Sequence, residues 1–285
     1  MTNQTTVTNN SMPQSGFPAN FLKVFAALTM LIGHGALTLV YAKLAKFPEY
    51  LALVFSADVT VEQLQTVPAD YMSLFSAYTV MSLVGDIAFP LFAFLIYEGF
   101  MRTSDYKRYL LRVGLCALVA ELPFNLIISN AATAYGWTTD SASLFFPQYQ
   151  NAAFTLFLGL LMLYGMKRTE AGEDISPKAA FKQWFGQLLC ILVACIIAVF
   201  ARLNYSFVGI LFIAVLYFFR NNKKLQILFG CIVFLCTGSS IASLFAFIPI
   251  AMYNGYLIRS KKFKYFFYIF YPAHLLALYL ISLAL

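Results

Sequence analysis

The sequence predicts an all-α, polytopic membrane bundle of about nine transmembrane helices, with its N-terminus inside and its C-terminus outside. Three observations carry that prediction. Of the 285 residues, 61% are hydrophobic and only 11% charged, with a mean hydropathy of +0.76. Soluble domains average about 45–50% apolar and about 25% charged residues. Apolar runs approaching the ~20 residues needed to cross a bilayer recur along the chain, and Lys and Arg concentrate in alternate loops between them.

Met1–Phe17 is polar, rich in Asn, Thr and Ser, and lacks Lys and Arg. A secretory signal opens with positive charge, so this stretch is expected to be a disordered tail. Residues 18–285 are expected to form one membrane domain. Its apolar runs are 20–42, 84–102, 107–128, 151–166, 183–201, 205–220, 223–238, 239–253 and 263–284. Residues 43–83 form a mixed outside loop, apolar enough to lie along the membrane or pack on the bundle. The seventh and eighth runs are split only by Thr237–Ser243, TGSSIAS, whose small polar residues suit a tight turn.

Charge fixes the expected orientation. The inside loops carry Arg102, Lys107 and Arg108, then Lys167, Arg168, Lys178 and Lys182, then Arg220, Lys223 and Lys224, then Arg259, Lys261, Lys262 and Lys264. The outside loops carry Lys43, Lys46 and Arg202, and residues 129–150 carry no Lys or Arg. This asymmetry follows the positive-inside rule. It accounts for the net charge of +7 without a nucleic-acid partner. The five cysteines lie in apolar runs with no CxxC spacing, and both histidines are remote. They read as small buried side chains, and no metal site is expected.

Ionisable groups at membrane depth are costly and are therefore functional candidates. Here they are His34, Asp86, Glu98, Glu121 and His274, with the amides Asn125, Gln150 and Asn151. His34 lies between Gly33 and Gly35, where a second helix can approach closely; the bland alternative is a hydrogen-bonded core histidine. His274 follows Pro272, which lacks an N–H and is expected to free a carbonyl beside the imidazole. Glu98 and Arg102 stand four residues apart, as in an ordinary helical ion pair. Glu121 precedes Pro123, expected to interrupt a helix. Asp86 is expected at a helix start, where the dipole favours a carboxylate.

Five segments resemble the TraX family. They are LKVFAALTMLIGHG (Leu22–Gly35), GDIAFPLFAFLIYEGFMRTSDYKRYLLR (Gly85–Arg112), ELPFNL (Glu121–Leu126), QNAAFTLFLGL (Gln150–Leu160), and YNG with KYFFYIFYPAHLLALYL between Tyr253 and Leu280. The family is associated with N-terminal acetylation of conjugative pilin and is related to multi-spanning membrane acyltransferases. The resemblance picks out His34, Glu98, Arg102, Glu121, Pro123, Gln150, Asn151, Tyr253, Asn254, Gly255, Tyr271, Pro272 and His274. The chain departs from the family at Gly33, where an acid is common, and at Asp86, where a basic residue is common.

What the resemblance implies is a multi-pass cell-membrane acyltransferase. It would move an acyl group, acetyl in the simplest case, from acyl-CoA to an amine or hydroxyl of an envelope protein N-terminus or glycan. The expected catalytic residues are His34, His274, Glu121 and Asp86. The expected substrate-binding residues are Glu98, Arg102, Gln150, Asn151, Tyr253, Asn254 and Tyr271. The expected partners are acyl-CoA, membrane lipid and the envelope acceptor, with no metal or nucleic acid. An imidazole with a pKa of about 6.5 suits a general base at neutral pH, so His34 takes that role, with Asp86 or Glu121 as its carboxylate. Asn151, Gln150 or Tyr271 would donate to the oxyanion. Loops 102–108 and 259–264 would hold the CoA phosphates. Two other classes stay open: a proton-coupled transporter, using the same His and Glu residues as a relay, and a non-catalytic assembly factor.

Overall fold

The computed structural model describes residues 15–134, 149–172, 176–257 and 261–284. Its first helical unit is α1 (Ala19–Gly35), which continues through a π-helical turn (Ala36–Val40) into α2 (Tyr41–Leu44). The Thr38 hydroxyl donates to the His34 carbonyl at 2.7 Å where the helix widens. Pro48 opens α3 (Pro48–Phe55), a position where its missing N–H costs nothing. Reciprocal bonds between Thr60 and Gln63 cap α4 (Val61–Gln65).

The predicted helix start at residue 84 is corrected. Helix α5 (Ala69–Asp86) leads almost directly into α6 (Ala88–Arg102), making a 34-residue helical stretch. The polar residues that lowered the hydropathy of this segment are compatible with a helix. Ser76 and Thr79 donate back to the carbonyls of Met72 and Phe75. Asp86 therefore stands inside a helical stretch, not at the outer start of one. At 1.5 Å per residue this stretch measures about 51 Å, against about 30 Å of hydrocarbon core. Near its first turns Tyr71 packs with Tyr41, Leu44, Leu51 and Val67 in a separate small core.

Helix α7 (Tyr106–Ala134) passes through Pro123, so the expected interruption beside Glu121 does not occur. Asn151 caps α8 (Ala152–Arg168), and Ser176 caps α9 (Pro177–Phe200). Then follow α10 (Ser206–Phe218), α11 (Lys223–Cys236), a 3₁₀ turn (Ile241–Ala246), α12 (Phe247–Ala251) and α13 (Lys261–Ser282), which runs through Pro272. The expected TGSSIAS break is present, with Gly238 at φ +67°.

Among the described residues, five helical stretches are long and apolar enough to cross a membrane: Ala19–Leu44, Ala69–Arg102, Tyr106–Ile128, Pro177–Phe200 and Tyr265–Ser282. The other predicted runs fall on shorter helices, from the 17-residue α8 to the five-residue α12. Phe94, Leu163, Met166, Phe212, Leu216 and Phe234, from α6, α8, α10 and α11, centre the core and are almost completely buried. Helix α9 turns Trp184, Leu192 and Phe200 outward, a face suited to lipid.

Two sets of contacts gather opposite ends of the bundle. At one end Phe17 N–H donates to Met252 O and Asn254 N–H to Phe17 O, at 2.8 and 3.0 Å. Lys223 Nζ donates there to the carbonyls of Ala251 and Tyr253. At the other end Gln150 and Arg202–Asn204 exchange backbone bonds. Gly33 and Gly85 mark a close backbone crossing: a Cβ on either would lie 2.6 Å from the other's Cα. Residues adjacent to that crossing, His34 and Asp86, are thereby brought to one depth.

Candidate functional site

A cavity of about 820 Å³ opens between α1, α5, α6, α7 and α13. Lys23, Arg102 and Arg112 line one part of it, with Glu98; His34, Asp86, Asn204, Tyr205 and Tyr271 line another. Phe92, Leu95, Ile96 and Leu156 are among the apolar side chains that complete the wall. Lys23 and His34 share α1, and their 11-residue separation puts their Cα atoms about 16 Å apart along its axis. The cavity thus brings cations and imidazole into one space at different depths.

His34 Nδ1 lies 2.8 Å from His274 Nε2. His274 Nδ1 lies 2.8 Å from the Phe270 carbonyl, which can only accept. With both rings neutral, these contacts dictate the tautomers. His274 donates from Nδ1 to the carbonyl, so its Nε2 accepts from His34 Nδ1–H. The lone pair of the dyad is then on His34 Nε2. A carboxylate was expected in the place His274 takes. His274 itself is 6% exposed, held behind the cavity-lining imidazole.

The carbonyl left without its helical donor by Pro272 is that of Tyr268, four residues earlier. Cys116 Sγ, at 3.5 Å, donates to it. The imidazole uses the Phe270 carbonyl instead, so the expected link between Pro272 and His274 is indirect.

Glu121 belongs to an adjoining polar cluster. Its Oε2 accepts from Asn151 N–H at 3.1 Å and from Asn151 Nδ2 at 2.6 Å. Asn151 Nδ2 also donates to Ala117 O at 2.9 Å, and Asn151 Oδ1 accepts from Ala153 N–H. Both amide hydrogens of Asn151 are engaged, and the residue is 0% exposed. It ties α7 to the start of α8. Tyr271 O–H reaches Asn151 Oδ1 at 3.4 Å, and the Tyr271 ring lies between this cluster and both imidazoles. Of the three expected oxyanion donors, Tyr271 lines the cavity; Gln150 contributes its backbone pairing with Arg202 and Asn204.

At the cationic rim, Arg102 Nε and an Nη donate to Glu98 Oε2 at 3.0 and 2.8 Å. Arg102 also donates to Gly255 O and Tyr253 Oη, at 2.9 and 3.0 Å. The Tyr253 hydroxyl donates to Glu98 at 3.0 Å. Burial and Glu98 push the Tyr253 phenol above its ordinary pKa, which keeps it a neutral donor. Asn254 Nδ2 donates to Gly16 O, holding the entry to α1. Arg108 pairs with Asp105 at 3.0 Å. Arg259 lies outside the described residues, so loop 259–264 has no described set of side chains.

Lys23, Arg112, Asn204 and Tyr205 were not among the expected site residues. Lys23 and Arg112 carried a signal, since both are cations inside predicted spans. Tyr205 lies in a short segment where Arg202, Tyr205 and Ser206 all have positive φ. Its ring stacks on Phe89 with centroids 3.7 Å apart, and Thr155 bonds the Asn204 carbonyl. Neither feature has a sequence signature. Among the described residues, no group of three or more His, Cys, Asp and Glu could hold a metal ion.

Comparison with known proteins adds two matches. The family model described as TraX protein matches residues 19–282. The probable fimbrial assembly protein FimC, serogroup H1, of Dichelobacter nodosus is 25% identical over 226 residues, covering 70% of this chain and 81% of that protein. No solved structure matches the chain.

Proposed function

The chain belongs to the TraX family, and on that footing we propose that it is a multi-pass cell-membrane acyltransferase. It takes an acyl group, acetyl in the simplest case, from acyl-CoA to an amine or hydroxyl of an envelope protein or glycan. The single observation that carries this reading is the cavity joining Lys23, Arg102 and Arg112 to the lone pair of His34. A thioester with an anionic head and a slender arm has the matching shape and charge.

The acceptor N–H or O–H attacks the thioester carbonyl while His34 Nε2 takes its proton. His274 steadies the resulting imidazolium by accepting from Nδ1–H. Tyr271 O–H would turn from its long bond to Asn151 Oδ1 to donate to the developing oxyanion. The tetrahedral intermediate then breaks its C–S bond, and the departing thiolate recovers the proton from His34.

The helix order supports nine passages in alternating directions, counting the short helices. The rim of the cavity would then face inside, at the ends carrying Arg102, Arg220 and Lys223, where acyl-CoA is available. This orientation rests on the Lys and Arg asymmetry of the loops.

A second reading has its own support in the match to a probable fimbrial assembly protein. Under it the chain assists assembly of a surface fibre without transferring a group. Mass spectrometry of envelope proteins and glycans, with and without the gene, separates the two. The transfer reading expects an acyl mark that depends on the chain and on His34. Unchanged acylation together with lost surface fibres favours the assembly role.

A further inference from the structure

A second, smaller pocket of about 290 Å³ lies on the far side of the Glu98–Arg102–Tyr253 cluster. The cluster lines both spaces. Arg102, Arg220 and Lys223 face the smaller pocket with Glu98 as the carboxylate in its lining; Asn221 also lines it, as does Gln226, whose amide hydrogens go to Tyr97 Oη and Leu216 O. The lining carries three cations against one anion.

These cations are held in place. Lys223 Nζ is fixed by the carbonyls of Ala251 and Tyr253 at 2.6 and 2.7 Å, which leaves one of its three N–H groups for another partner. Carbonyl partners do not neutralise its charge, which Glu98 in the lining offsets in part. Arg220 is braced by Glu170 at 3.0 Å and lies over the Tyr217 ring at 4.7 Å. The positive-inside rule asks only that cations be on one side of a membrane. It does not require them to converge, and neighbouring Lys224 is exposed and absent from the lining. Convergent, immobilised cations beside a longer apolar cavity suit a ligand with a phosphate at its end.

We propose that this pocket is a phosphate subsite. Arg220, Lys223 and Arg102 take a terminal phosphate of a ligand whose remaining length enters the larger cavity past Tyr253. The proposal rests on the reading of that cavity as an acyl-donor site. The same phosphate chemistry could be supplied by an anionic phospholipid headgroup, so the test includes both sources.

The experiment uses the full chain purified in uncharged detergent, with coenzyme A and 3′-dephospho-coenzyme A as probes in a calorimetric titration. Native mass spectrometry reports any retained phosphatidylglycerol. The wild type should prefer coenzyme A by about tenfold, the scale of one charge-assisted phosphate contact. Arg220→Gln and Lys223→Gln should each erode the preference, weakening coenzyme A binding more than dephospho-coenzyme A binding. Lys224→Gln, the same charge change on an exposed neighbour, should leave it intact. Thermal unfolding of each variant identifies a folding defect, and the two separate substitutions keep the test open if one misfolds. Coenzyme A binding with an undiminished 3′-phosphate preference in both folded variants overturns the subsite and leaves the acyl-donor reading standing. Phosphatidylglycerol retained by the wild type and lost in both variants, without coenzyme A binding, supports the subsite and overturns the acyl-donor reading. Binding of neither probe nor lipid overturns both.

Discussion

At the scale of single residues, the proposed chemistry turns on which nitrogen of His34 carries the lone pair. The Phe270 carbonyl orients His274, and His274 orients His34. A histidine serving only as packing has no need of a directed proton chain. His34→Gln keeps a donor and an acceptor of similar reach but removes the proposed base. The expected result is a loss of about 10²–10⁴ in transfer rate, read as the acyl mark in envelope digests, with thermal stability close to wild type. Transfer at wild-type rate would make His34 structural. Asn151 has the opposite profile. Its side chain caps α8 and supplies a donor to Glu121 and to the Ala117 carbonyl. Asn151→Ala should lower stability by about 1–2 kcal/mol through a lost cap and a half-buried Glu121 carboxylate left with fewer donors, visible as a fall in unfolding temperature in detergent. The histidines and Glu121 were legible in the sequence because charge at membrane depth is rare. Their partners were not, because His34 and His274 are 240 residues apart.

At the scale of elements, the two glycines around His34 look equivalent in sequence and are not equivalent in space. A Cβ on Gly33 meets the Gly85 backbone at 2.6 Å, whereas one on Gly35 meets only the end of the Met81 side chain at 3.6 Å. Gly33→Ala must push α1 from α5 and should destabilise the protein by about 1–3 kcal/mol, displacing His34 and lowering transfer as well. Gly35→Ala should be near neutral in both unfolding temperature and transfer. Equal behaviour of the pair would remove the close crossing as the device that positions His34. The sequence marks glycine as permissive, but only the facing helix decides which glycine is required. The same limit hid α5. Its Ser and Thr hydroxyls depress hydropathy while bonding their own helix, so the segment read as a loop. Pro123 errs in the opposite direction: a strong breaker in isolation, it lies inside α7, which continues through it. Helix α13 runs through Pro272 as its apolar length suggested, with Cys116 donating to the freed Tyr268 carbonyl.

At the scale of the whole molecule, the apolar composition made the helical membrane class legible, while hydropathy alone could not set the lengths of the short helices. Helices α10, α11 and α12 are shorter than a bilayer is thick, so their depth is set by packing: α10 against α6, α8 and α9, α11 against α10 and α12, and α12 against α11 and α6. Orientation is a separate question, decided by the charges between helices. Lys224 is exposed at the end that also holds Arg102 and Tyr253, and Val61, 73% exposed, lies in α4 beyond the other end of α1. Lys224→Cys and Val61→Cys, each in a background with the five native cysteines replaced, test the orientation with a membrane-impermeant thiol reagent on intact cells. Cysteine at 61 should label and cysteine at 224 should label only after permeabilisation. Labelling of both positions in intact cells would contradict alternating passage between them. The reverse pattern would turn the cationic rim outward, away from the acyl-CoA pool, and remove the physical basis for acyl-CoA as the donor. The positive-inside rule and the cavity's charge gradient thus make one joint prediction, because both assign the same end of the bundle to the inside.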